Sequence, residues 1–160
     1  MICKHSSALM NSKRDEAFEA FQRVGFPTKK VERYKYTDIE ALFAPNYGLN
    51  LNRLDIPVNP YDAFKCDVPN MSTSLYFVVN DAFYKKALPK AELPEGVFVG
   101  SLADFSTNAA FGKVSAMYCQ LADDKDAITS LNTMLAQDAL LIYFPKGVKV
   151  DRNLQVINIL

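Results

Sequence analysis

From residue 13 onward the apolar positions Ala17, Phe18, Phe21 and Val24 recur at helical spacing, which predicts an amphipathic helix over 13–24. Ser12 is placed to cap it, with Asp15 three residues on as a capping-box variant; Gly25 and Pro27 mark its end. Thr37 is placed to cap a second, short helix. Its first turn carries Asp38 and Glu40, and its apolar side carries Ile39, Leu42 and Phe43. Residues 44–60, rich in Asn and Pro, read as extended loop.

The pattern then turns to strands. "SLYFVVN" (74–80) is a strand, Asp81-Ala82 a turn, and "FYKKAL" a hairpin partner. "LPKAELPEG" is loop and "VFVGSL" another short strand. Residues 102–122 are mixed, with helical periodicity at Val114, Met117, Tyr118 and Leu121. "DDKDAITSLNTMLAQD" is the clearest helix: Asp123, Asp124 or Asp126 caps it, and Ile128, Leu131 and Leu135 form one face. After it come "ALLIYFP", a turn at Lys146-Gly147, "VKV", a turn at "DRN", and "LQVINIL". Short strands with tight corners fit the coils of a β-helix and equally an ordinary hairpin; local pattern does not choose. The apolar run reaching Leu160 calls for a covering element, so a truncated or split chain is expected.

Composition narrows the function. With 160 residues, one domain with a moderate core is the default, and about half the residues are apolar. Lys plus Arg balance Asp plus Glu at 18 each, so a dedicated nucleic-acid binder is disfavoured. One stretch reopens that question. "GFPTKKVERYKYTDIEAL" (25–42) interleaves Lys29, Lys30, Arg33 and Lys35 with Tyr34 and Tyr36, as single-strand binders do. Glu32, Asp38 and Glu40 offset those cations, and a phosphate track needs uncompensated charge. The structural reading is favoured: Pro27 and Thr28 turn the chain, the tyrosines bury their ring faces under basic stems, and the segment packs two helices against a neighbour.

Other chemistry is sought without result. No phosphate-cradling glycine motif occurs. "DDKDAITSLNTM" lacks the glycine and terminal glutamate of a calcium loop, so helix capping is expected there. Cys3, Cys66 and Cys119 lie far apart, and the only histidine, His5, sits near the N-terminus, so neither a zinc site nor a histidine-based triad is expected. Cys66 and Cys119 are read as small core residues rather than nucleophiles. The odd cysteine count favours a reducing cytoplasm, and the start of the chain has no uninterrupted apolar run of a signal peptide.

The 25–42 stretch resembles the Gly-[Leu/Phe]-Pro-Thr-[Lys/Arg]-Lys-x-Glu-x-[Trp/Tyr]-Lys-Tyr-Thr-x-[Leu/Ile] signature of the SufD family, with Gly25, Pro27, Thr28, Lys30, Glu32, Lys35, Tyr36 and Thr37 matching and Tyr34 where tryptophan is common. "LNTMLAQDALLIYFPKGVKVDRNLQVINI" is similar to the family's segment leading into the core, with Asp138-Ala139 for a frequent Asp-Gly and Asn153 for a common proline. The resemblance implies an α+β chain: a flexible tail over 1–12, an N-terminal mixed helical and strand capping domain over 13–137, and the start of a right-handed parallel β-helix over 138–160. It implies a scaffold of the SUF iron–sulfur cluster assembly system, pairing with SufB through the β-helix and docking SufC beyond it. On this reading the segment is no enzyme, has no catalytic, cofactor or metal residues, and binds no nucleic acid or membrane. The cluster and ATP belong to the whole SufBCD complex. Self-association through residues 139–160 is a further expectation, and a free-standing module pairing through its last strand is the alternative.

Overall fold

A computed structural model describes residues 6–46, 57, 59–63, 73–86, 88–89 and 92–159. Along the chain run helices α1 (Ala8–Asn11), α2 (Arg14–Val24), a 3-10 turn (Glu32–Tyr34), α3 (Ile39–Phe43) and α4 (Pro60–Ala63). Strands β1 (Thr73–Val79), β2 (Ala82–Phe83) and β3 (Phe98–Ser101) follow, then α5 (Leu102–Phe105), α6 (Phe111–Met117), α7 (Ala127–Leu135), β4 (Leu140–Tyr143) and β5 (Asn153–Ile159). The composition is α+β, as expected. The chain divides into two compact units, each assembled from two separate segments: 1–51 with 109–137, and 52–108 with 138–160.

The first unit is helical. The Ser7 hydroxyl accepts from the Met10 N–H and caps α1, and Met10 is buried beneath it. The tail expected over 1–12 thus contains an anchored turn; residues 1–5 lie outside the described residues. Ser12 does not cap α2. Its hydroxyl donates back to the Leu9 carbonyl at 2.7 Å, and Lys13 takes the cap position.

The buried face of α2 also differs from the expected one. Arg14, Ala17 and Ala20 are buried, whereas Phe18 and Val24 are exposed. The reason is the partner: α2 packs against α7, whose buried residues are Ala127 and Ser130 rather than Ile128, Leu131 and Leu135. Small residues on both helices permit close approach of the two backbones, and the spacing between helix axes follows contact side-chain size. The periodicity expected to run to Leu121 stops earlier. α6 ends at Met117, Cys119 takes φ +59°, and Leu121 is 99% exposed.

Arg14 is the buried charge of this interface, 7% exposed. Its guanidinium donates to the Met134 carbonyl, to the Ala136 carbonyl at 2.6 Å, to Ser6 Oγ at 2.7 Å and to Asn11 Oδ1 at 2.9 Å. The last carbonyls of a helix lack intrahelical partners and form the negative end of its dipole. Arg14 satisfies both needs at the end of α7.

The second unit carries the strands. β1 turns into β2 through Asn80-Asp81, both at positive φ (48° and 59°), a geometry that matches the twist of a two-residue hairpin. The turn therefore falls one residue before Asp81-Ala82, and the partner strand is Ala82–Phe83 rather than "FYKKAL", of which residues 84–86 form no strand. β5 joins the other side of β1 in parallel register, from Thr73↔Asn153 to Val79↔Ile159. β4 pairs antiparallel with β3 in a separate two-stranded sheet. β4 and β5 are thus not the arms of one hairpin, and residues 148–150 form no strand. Phe105, fully buried, packs between Phe98 at 4.9 Å and Tyr143 at 5.4 Å between ring centroids.

Replacing Arg14 with Ala leaves the part-buried Met134 and Ala136 carbonyls without this donor and is expected to cost about 2 kcal/mol, read as a lowered urea midpoint. Arg14→Lys should recover less than half, because an ammonium lacks the planar fork that reaches two carbonyls and two side chains together. Equal midpoints for Arg14→Ala and the parent would remove the role assigned to this side chain.

Candidate functional site

The stretch singled out in the sequence, residues 25–42, lies within the helical unit. Gly25 ends α2 at φ +68°, a left-handed conformation that glycine adopts without steric cost, and its N–H reaches the Phe21 carbonyl at 2.8 Å. Pro27 is buried. Successive turns follow, with N–H to carbonyl bonds from Val31 to Thr28, Tyr34 to Val31 and Thr37 to Tyr34 at 2.9–3.0 Å. Phe26 bridges two helices: its ring meets Phe21 edge-on at 5.1 Å and stacks on Phe43 at 5.0 Å.

Asp38, not Thr37, caps α3, accepting from the Ala41 N–H at 3.0 Å. Its other oxygen pairs with Lys29 Nζ at 2.8 Å. The Lys29 ammonium first, and the Ala41 N–H second, hold the Asp38 carboxyl below its ordinary value.

The centre of the arrangement is Asp126. It caps α7 by accepting from the Ile128 N–H at 2.9 Å. The Tyr34 hydroxyl lies 2.9 and 3.0 Å from its two oxygens, and the Arg33 guanidinium donates to Oδ2. Asp126 is 9% exposed. Burial alone pushes its pKa up, but the Tyr34 hydroxyl, the Ile128 N–H and Arg33 together outweigh burial and hold it below the ordinary value. Burial also pushes the Tyr34 hydroxyl up, so it stays protonated as a donor.

Three of the four interleaved cations are paired within the unit. Lys29 pairs with Asp38, Arg33 with Asp126 and Lys35 with Glu32. Tyr34 is partly buried as expected. Tyr36 is not: it is 92% exposed, with Lys35 Nζ 5.6 Å from its ring centroid. The motif joins α2 to α3 and ties both to the start of α7. A cleft of about 360 Å³ remains beside it, lined by Phe26, Pro27, Val31, Arg33 and Lys125 among others.

The second motif is also structural. Asp138 Oδ1 accepts from the Ala139 N–H at 2.8 Å and the Ala103 N–H at 3.3 Å, joining the start of β4 to the first turn of α5. Pro145 lies against Gly96, where an added Cβ would meet the proline ring at 2.9 Å. Only glycine leaves room for that contact.

The remaining candidates divide simply. His5, Cys3 and Cys66 lie outside the described residues. Cys119 is half-buried, and so is not the core residue expected. Of the aspartates of "DDKD", Asp123 accepts from the Lys125 N–H at 3.0 Å, Asp124 pairs with Arg23 and Asp126 caps α7. Among the described residues, no group of three or more His, Cys, Asp or Glu side chains is placed to hold a metal ion, and no helix is long and apolar enough to cross a membrane. Sequence reasoning missed Arg14 altogether. Its one signal is position: it falls three and six residues before the alanines that define the buried face of α2.

The family model described as the SufBD protein N-terminal region matches residues 1–156. No curated protein and no solved structure matches the chain.

Because the Asp126 pKa is depressed in the folded protein, its stabilisation is fully present above the unfolded carboxylate value of about 3.9 and is lost as pH falls through the lower folded value. Asp126→Asn should therefore flatten the acid limb of a stability–pH curve below about pH 4. It should leave the dependence between pH 5 and 8 unchanged. Parallel acid limbs in variant and parent would contradict this.

Proposed function

The chain belongs to the SufBD N-terminal-region family, and on that premise we propose that it is the N-terminal part of a SufD-like scaffold subunit of the SUF iron–sulfur cluster assembly system. Family membership carries the pathway. The Pro27-Thr28-Lys29-Lys30 run supports the SufD side of the family over SufB. The role is to hold other subunits, not to catalyse a step, and the segment binds neither cluster nor ATP. Its partners are SufB along the β-helix and SufC beyond it, in the cytoplasm.

The observation that carries the scaffold reading is the parallel register of β1 with β5. A parallel pair needs a long crossover and both faces covered, which suits a strand stack that continues. The Asn80 N–H donates to the Ile159 carbonyl at 2.8 Å, so odd-numbered residues of β5 turn their backbone groups to β1. By alternation, Leu154, Val156 and Asn158 turn theirs to the other edge. That edge has no strand neighbour among the described residues. "NLQVINI" contains neither charge nor proline, the usual guards of a free edge.

On this reading β5 belongs to the first coil of a β-helix, and the next parallel strand adds at 154, 156 and 158. The same edge favours the second reading, a module that recruits a strand from another chain or from a second copy.

Asn158→Pro removes an edge-facing N–H while sparing the β1 ladder. Co-expressed with SufB, the parent chain should co-elute in size exclusion, and Asn158→Pro should lose that peak while keeping the parent's circular dichroism. No co-elution of the parent with SufB, combined with concentration-dependent sedimentation of the chain alone, would favour the module reading. A parent chain that neither binds SufB nor self-associates would reject both.

A further inference from the structure

We draw no further inference here: the strongest candidate, the cleft of about 360 Å³ between the 25–34 loop and the start of α7, has exposed apolar walls at Val24, Phe26 and Val31, but its cations Arg33 and Lys125 are matched in number by Asp123 and Asp126, so its charge selects no partner and nothing in the structure shows what covers it.

Discussion

The helical unit depends on α7 being held at both ends. An isolated nine-residue helix is marginal in water, because its terminal N–H and C=O groups have no partners. Here Asp126 closes the N-terminus and is itself gripped by Tyr34 and Arg33. Arg14 closes the C-terminus from the first turn of α2. Negative charge sits at the positive end of the dipole and positive charge at the negative end. The two clamps come from different stretches of the N-terminal segment, so positioning α7 also fixes α2 and the loop after it.

Seen this way, the 25–42 motif has a physical rather than a chemical logic. Several polar residues that stand out in the sequence have a geometric task. Asp38 caps one helix while Lys29 holds it; Asp126 caps another while Arg33 and Tyr34 hold it. Phe26 links the rings of Phe21 and Phe43. The second motif works similarly, with Asp138 joining the beginnings of β4 and α5.

Much of this was legible in the sequence. The strands at 73–79 and 98–101, the hairpin after the first, the helix after Asp126 and the break at Gly25 all follow local rules of pattern and capping. What was not legible was set by partners distant in sequence. The aromatic positions of α2 suggested its buried face, but contact with α7 selected Arg14, Ala17 and Ala20 instead. Ser12 and Thr37 look like caps, yet Lys13 and Asp38 take the cap positions of α2 and α3. Beyond Met117 the apolar spacing continues, but the chain turns at Cys119 and leaves Leu121 in solvent. Pairing of β4 with β3 and of β5 with β1 has no local trace at all, because hairpin and crossover share the same residue pattern.

The division of each unit between two chain segments has a consequence for how the protein is made. β1 and β5 pair residues 73 and 153, eighty positions apart, and α2 waits longer still for α7, which begins at residue 127. On a ribosome, neither unit closes when its first segment emerges. The alanine face of α2 and the apolar strand "TSLYFVV" are both exposed while the intervening chain is synthesised. Loop closure of this length is paid for before the contacts repay it, which slows folding. Until β5 emerges, β1 pairs only with the two residues of β2 and leaves its other edge open, a form prone to capture by a chaperone or to misassembly with a neighbouring chain.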